Sequence, residues 1–555
     1  MPNINELKDR YFVQSIDSNP PSEPVPATFE GNKVTPLVDG EEYFKELKEV
    51  ISTVGTGASP AENEGQFIYI SGWWIHLLGG SVIPAPDNSS FVGPTLGLPS
   101  HFNPFSLDSS DGTDLLMDLL KDKANVGVDV RILGWVSWSI MGSAIAQERV
   151  IHIHDINVQT ISSMLSLRQE ESLATKCCFN ILGHTAGAVH TKMVIVGNED
   201  SAIGFTGGFD LVSDRHGNYL HTPDPLGGTP WHDIQVKVEG PAVQAIYDFY
   251  KDMWNEIKQR DPFEYRIGTE IVPSFVSGTP DLPSRNFLTN SLGTSFIQSL
   301  RTLPQFKYVW YNILPEEDPI SFAPQGIFEI KLAWQKAIKS AETYIYIEDQ
   351  SFWSIEVMSW INDAIRNHPN LKVIFMRGVP DQNDPVLPPF NEVALNNGLF
   401  PNLTERQIKQ IKFFLRGIMI HSKITLIDDY WVLIGSANCA RRSLYTDIEH
   451  SISILDENIV KDFRIHLWGE HFGLHPDLRS SLSSLDHSLH LWNPDWGSPL
   501  PDTEIIGLEL PSFIGEKPIP YPPPPPIVLK DEVQEKYDRY LDPDSQEEWG
   551  GCPDF

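Results

Sequence analysis

Apolar residues recur along the chain in two rhythms. The runs FIYISGWW (67–74) and VDVRILGWVSW (128–138) are nearly continuous and read as strands buried on both faces. Between them MDLLKDK (117–123) has the three-to-four spacing of an amphipathic helix. Strand, helix, strand is the unit of a parallel or mixed sheet covered by helices, so the predicted class is α/β. Residues 1–65 are polar and rich in Pro, Gly and Ser, and read as an irregular N-terminal arm with one helical patch at Tyr43–Ile51.

The same order of elements then returns. Helical KLAWQKAIKSAE precedes the strand TYIYIEDQSFW (343–353), and helical MSWINDAIRNH precedes LKVIFMRGVP (371–380). Each half then carries a His-x-Lys strand, VHTKMVIVG (189–197) and IHSKITLID (420–428). A glycine-rich turn follows each, GFTGGFDL (204–211) and IGSANCARRS (434–443), and then a carboxylate-bearing strand, WHDIQVKVEG (231–240) and YTDIEHSISI (445–454). Matching elements in one order predict an internal duplication. The expected architecture is two α-β-α sandwich halves with mixed sheets, residues 66–300 and 301–515, related by a pseudo-two-fold with one active site at their interface. PIPYPPPPP (518–526) predicts a polyproline II strap within a Pro-rich, acidic tail, residues 516–555, that would dock a partner or serve as a spacer.

Composition narrows the function. The 555 residues hold 41 Lys and Arg against 74 Asp and Glu, a net charge of −33, so no broad basic surface for a phosphate backbone is available and nucleic acid is not the expected partner. Of four cysteines, Cys177 and Cys178 are adjacent, and neither a disulfide framework nor a zinc-ligand spacing is present. The N-terminus lacks a basic region followed by an apolar run, and no apolar stretch reaches the ~20 residues of a membrane span. The expected address is cytoplasmic or peripheral to a membrane, and the expected state a monomer.

A lone His-x-Lys means little, but its repetition in two β-branched runs does. Residues two apart on a strand share a face, so His190 goes with Lys192 and His421 with Lys423. Two halves packed about a pseudo-two-fold would bring both pairs to one cleft with Ser436, Asn438 and the backbone amides of Gly207 and Gly208. Such a set suits a phosphoryl centre: lysines neutralise its oxygens, one imidazole attacks phosphorus and the other moves the proton of the departing oxygen. No metal is needed, and no metal ligands are assigned. Each histidine also needs a carboxylate to fix its tautomer. Asp233 serves in one half, and Glu449 or its rival Asp447 in the other; a crossed pairing between halves would fit the pseudo-symmetry.

These paired motifs resemble the HKD motifs of the phospholipase D superfamily, most of all the eukaryotic-type phospholipase D catalytic region. HSKITLIDDYWVLIGSANCARRS carries His421, Lys423, Asp428, Gly435, Ser436, Asn438 and Ser443 in the family's register, and GFTGGFDL with Asp210, PWHDIQVKVEGPAV, YIYIEDQSFW and LWGEHFGL are also similar to it. The likeness runs from about residue 66 to 475. It implies cleavage of the headgroup phosphodiester of glycerophospholipids, or transfer of the phosphatidyl group to a small alcohol, through a phosphohistidine intermediate. By the same resemblance His190 is the nucleophile supported by Glu449, His421 the general acid and base supported by Asp233, and Gly207, Gly208, Asp210, Ser436 and Asn438 bind substrate. No cofactor is implied for the chemistry; Ca2+ or another divalent cation would serve only the approach to lipid. The alternatives are another phosphodiesterase or nuclease of the superfamily, and a catalytically weakened phospholipid-binding scaffold.

One departure stands out: Gly197 occupies the place of the first motif's Asp, and Asn198 or Asp200 is expected to cap that turn. Of the rest, HIHD (152–155) reads as alternation on an exposed strand rather than a metal site. Trp73, Trp74, Trp231, Trp353 and Trp431 read first as core, with one or two at the cleft rim as receptors for a choline-like ammonium. Cys439 reads as a small filler, and Arg441 and Arg442 as surface charges within reach of phosphate.

Overall fold

The computed structural model describes residues 3–14, 25–78, 105–108, 114–136, 150–183, 187–221, 231–260, 262, 264–267, 270–288, 291–305, 319–378, 388–498 and 519–521. Among the described residues sixteen strands pair in one mixed sheet, and fourteen of them stand in an order that reads the same from either end. The first seven are β1 (Thr28–Val38), β2 (Phe67–Gly72), β3 (Asp129–Trp135), β4 (Cys177–Asn180), β5 (Met193–Gly197), β6 (Ala202–Gly207) and β7 (Ile234–Glu239). The second seven are β8 (Ser295–Leu303), β9 (Tyr344–Asp349), β10 (Lys372–Gly378), β11 (Ile411–Arg416), β12 (Lys423–Ile427), β13 (Trp431–Gly435) and β14 (Glu449–Leu455). Their spatial order is β11-β10-β9-β12-β13-β14-β8-β1-β7-β6-β5-β2-β3-β4. Strand n of the first half thus takes the place of strand n+7 in the second.

Strand directions repeat as well. β2, β3 and β4 are parallel, as are β9, β10 and β11, while the remaining neighbours are antiparallel. Parallel neighbours need a crossover, and the chain supplies α3 (Leu116–Asn125) and α4 (Val150–Arg168) in the first half and α7 (Ile355–Asn367) between β9 and β10 in the second. Helices α5 (Val243–Lys258) and α8 (Glu457–His471) follow the last strand of each half, and α6 (Glu329–Lys339) leads into β9. All six residues of β2 and of β9 are buried, which is why both read as unbroken apolar runs.

The irregular arm expected over 1–65 is corrected at its centre. α1 (Ile4–Tyr11) and α2 (Asp39–Ser52) frame β1, and β1 occupies the middle of the sheet. Its start pairs with β8 of the second half and Lys33–Val38 with β7 of the first, with a bulge between Phe29 and Asn32. Gly31 and Pro36 argue against a strand by local preference, and pairing on both sides overrides them. A second correction concerns HIHD. Residues 150–168 are helical, and residues two apart on a helix point in nearly opposite directions, so His152 and His154 share no face; their side chains lie outside the described residues.

Each end strand gains a partner, which shortens the open edges. Phe179 of β4 donates its N–H to Ser274 (2.8 Å), and Ile519–Tyr521 pairs antiparallel with β11. That triplet is the described part of the proline-rich strap; the rest of the tail lies outside the described residues. Among the described residues no helix is long and apolar enough to cross a membrane.

His450 on β14 sits where the halves meet, fully buried, with Nδ1 2.8 Å from Thr206 Oγ1 and Nε2 2.9 Å from Ser299 Oγ. Burial, and then the Arg301 charge, push its imidazole down to about 3 from 6.5. The unfolded chain therefore binds a proton below pH 6.5 that the native state refuses. The stability from neutral His450 is complete above pH 6.5 and is lost as pH falls toward 3. Between pH 7 and 4 the unfolding free energy of His450→Gln should fall by about 2–3 kcal/mol less than that of the parent. Parallel curves in denaturant titrations would refute this.

Candidate active site

The two His-x-Lys stretches enter their strands through segments borrowed from the other half. His190 donates its N–H to Ile448 O, and Ile448 in turn donates to Ala188 O, both at 2.8 Å. On the opposite side Met419–Ile420 pairs parallel with Trp231–His232, and His421 donates to His232 O at 2.8 Å. Each histidine is therefore laid beside the residue that precedes the other half's carboxylate. The side chains cross accordingly: His190 Nδ1 lies 3.1 and 3.2 Å from the Glu449 oxygens, and His421 Nδ1 lies 2.7 Å from Asp233 Oδ2.

The supports of each dyad are local. Glu449 accepts from the hydroxyls of Ser436 and Ser443, and Asp233 from the Ile234 N–H (2.8 Å). A Cβ at Gly208 would lie 2.0 Å from Asp233 Oδ1, so only glycine lets that turn pass. Asp447, the rival to Glu449, accepts instead from the Ala188 N–H (2.7 Å) and from Arg442 (2.8 Å), and so holds the His190 stretch rather than its ring.

Both lysines are buried. Lys192 Nζ lies 3.4 Å from Asp210 Oδ1 and donates to His190 O, while Lys423 donates to His421 O and faces Asp349 across the β9·β12 register. Burial, then Lys192 and Lys423, hold the His190 pKa well below the usual range; burial, then Lys423 and Arg215, do the same for His421. Neutral imidazoles with Nδ1 on a carboxylate present Nε2 as the reactive atom. Burial also brings Lys423 down to about 8 and raises Asp233 to about 7.

Several residues expected to meet substrate are engaged by protein. Ser436 serves Glu449, Asp210 pairs with Lys192 and Arg215, and Asn438 donates to Asp349 at 2.9 Å. Arg441 pairs with Glu356 and Arg442 with Asp447, so neither guanidinium is aimed at phosphate. Cys439 is buried, and its backbone N–H donates to Asp349 (2.7 Å). Trp74 and Trp431 are core, and Trp353 is half-buried.

The sequence reading assigned no role to Asp349 or Arg215, nor to a buried cluster beneath the site. Asp39, His221, His232 and Glu470 bring one ligand atom each within 4.8 Å of one another, and His232, Glu348 and His471 do likewise. His232 lies 3.0 Å from Asp39, 2.9 Å from Glu470 and 2.8 Å from Glu348, and these acids raise its pKa well above normal against the effect of burial. Both Glu470 oxygens and both His221 nitrogens are nonetheless without a well-aligned hydrogen bond. The donors suit a divalent cation, and an imidazolium at His232 balances the same acids without one. His232 and Glu348 each adjoin in sequence a carboxylate of the site, Asp233 and Asp349, so the cluster underlies the floor of the cleft.

Residues 335–469 match the family model described as cardiolipin synthase, PLD-like domain. Phospholipase D A of Dictyostelium discoideum is 22% identical over 516 residues, covering 80% of this chain and 36% of that protein. Cardiolipin synthase 1 of Staphylococcus aureus is 26% identical over 278 residues, covering 50% and 45%. Phospholipase D alpha 4 of Arabidopsis thaliana is 20% identical over 513 residues, covering 74% and 62%. The chain thus spans between about a third and two thirds of these relatives' lengths. Among solved structures, phosphatidylserine synthase of Haemophilus influenzae aligns with a TM-score of 0.43 at 13% identity, covering 78% of this chain and 84% of that one. The likeness to the phospholipase D superfamily is upheld.

Proposed function

We propose that this relative of the phospholipase D superfamily is a phosphodiesterase and phosphatidyltransferase acting on the headgroup phosphodiester of glycerophospholipids. The observation that carries this reading is the pair of crossed imidazole–carboxylate dyads flanked by two buried lysines. His190 Nε2 attacks phosphorus while Glu449 steadies the positive charge growing on its ring. A proton held by the Asp233 carboxyl against Nδ1 leaves the neutral His421 ring protonated at Nε2; His421 gives that Nε2 proton to the departing headgroup oxygen as Nδ1 takes the one from Asp233. His421 then takes a proton from water or a small alcohol, which displaces His190 from phosphorus. Lys192 and Lys423 neutralise the phosphoryl oxygens throughout, so no metal enters the step. With −33 net charge on the chain, Ca2+ acts only in bringing the enzyme to an anionic lipid surface.

Mixed phospholipids in detergent micelles with added ethanol provide the test. Mass spectrometry should find phosphatidate and phosphatidylethanol, and a soluble short-chain substrate should turn over in EDTA while activity on anionic vesicles falls. Absence of both lipid products rejects the reading, and loss of short-chain turnover in EDTA rejects its metal-free chemistry.

A further inference from the structure

Each histidine of the site meets a tryptophan as well as a carboxylate, but the two tryptophans are held differently. Trp73 packs edge to face with the His190 ring (centroids 5.8 Å apart, planes at 82°) and stacks on the indole of Trp135 at 6.0 Å. Trp231 packs against the His421 ring at 5.3 Å and 64°, and the guanidinium of Arg215 lies over its ring 3.4 Å from the centroid. A buried cation lies over each indole, Lys192 Nζ at 5.3 Å from the Trp73 centroid and Arg215 much closer over Trp231, and only Trp73 has a second indole stacked on it.

Arg215 is only 1% exposed and its position is tightly set. It ends a 3-10 turn, Ser213–Arg215, whose N–H closes on Val212 O (3.1 Å), and its carbonyl lies 2.2 Å from where a Cβ on Gly40 would stand. Its guanidinium pairs with Asp210 Oδ2 at 3.4 Å, and the other oxygen of Asp210 lies 3.4 Å from Lys192 Nζ. A chain of contacts therefore runs Lys192–Asp210–Arg215–Trp231–His421, joining the first His-x-Lys motif to the ring of the second.

The Asp233 hydrogen bond fixes one atom of the His421 ring and leaves the ring free to swing about that bond. The Trp231 face limits the swing, and a guanidinium stacked on an indole in a desolvated place keeps the indole there. We infer that Arg215 is a positioning residue for the proton-transfer histidine: through Trp231 it holds His421 Nε2 toward the leaving oxygen, and through Asp210 it ties that orientation to Lys192. The inference rests on the phosphodiesterase reading above. In the step it serves, the bond from His190 Nε2 to phosphorus forms as the bond from phosphorus to the headgroup oxygen breaks. The proton on His421 Nε2 passes to that oxygen.

Two phosphatidyl esters separate this role from a merely structural one. An ethyl ester departs as an alkoxide that needs the proton, whereas a p-nitrophenyl ester departs as a phenolate that does not. In Arg215→Met, kcat on the ethyl ester should fall about 100-fold with KM within about twofold, while the pre-steady-state burst of nitrophenolate from the nitrophenyl ester, which reports adduct formation alone, should slow less than about threefold, because proton delivery alone is worth ~10²–10⁴-fold. Trp231→Phe should show the same leaving-group signature more weakly, and decides the matter if the methionine variant does not fold. An equal fall on both esters, or no fall on either, overturns the inference. A parent enzyme inert on both esters would overturn the phosphodiesterase reading with it.

Discussion

His190→Ala should fold as the parent does, lose about 10⁴-fold or more in turnover, and form no phosphoryl adduct. The ring is half-buried, and its loss leaves Glu449 with the hydroxyls of Ser436 and Ser443 and a raised pKa that lets it take a proton. The fold therefore tolerates the change, while the nitrogen proposed for attack is gone. His421→Ala is the complementary variant. With a nitrophenyl ester its adduct should form and then persist, because hydrolysis needs a base that is no longer there. Rapid quenching into alkali, which preserves phosphohistidine, followed by peptide mapping reads both outcomes. An adduct of full yield in His190→Ala would move the nucleophile elsewhere.

The second large effect is on stability. Asp428, the last residue of the second His-x-Lys-x4-Asp stretch, accepts N–H groups from Glu342, Thr343 and Tyr344 (2.8, 2.8 and 2.9 Å) and the Tyr11 hydroxyl (2.9 Å). It is buried, at a positive φ of 57°, and ties α1 and the entry to β9 onto the end of β12. Asp428→Ala would strand those donors, and the loss should be about 3–5 kcal/mol in unfolding free energy, read from the denaturant midpoint. Turnover per folded molecule should hold, since the side chain touches none of the groups around the phosphoryl position. The first half has Gly197 at this place, and Asn198 caps its own turn instead, accepting the N–H groups of Asp200 (2.9 Å) and Ser201 (3.0 Å). That cap is exposed and local, so Asn198→Ala should cost only about 1 kcal/mol. A folded Asp428→Ala protein without turnover would show that this residue has a chemical part.

Which side chains meet was legible wherever chemistry had to be repeated. The two His-x-Lys strands, the glycine turns and the following carboxylates occur twice in one order, and repetition exposes what single residues conceal. The cluster under the floor was not legible for the opposite reason. Asp39, His221, His232, Glu348, Glu470 and His471 come from five separate stretches, and no spacing within any one of them points to the others until the fold gathers them. β1 escaped notice because its strand state lies in its neighbours rather than in its own residues. Arg215 follows the glycine turn by only a few residues, yet its use depends on Trp231, which lies 16 residues further along the chain.

The crossed dyads have a consequence for how such a site can change over time. A histidine whose carboxylate always comes from the opposite copy works only as a pair, so the palindromic sheet, with β1 against β8 at its middle, has the form of an isologous dimer written into one chain. Fusion frees assembly from concentration, and it also releases each pair of equivalent positions from identity. Asp210 faces Asn438, Gly72 faces Asp349, and Gly197 faces Asp428 as counterparts that have parted. A true homodimer would have to offer the same histidine for attack and for proton transfer; a fused one can specialise them.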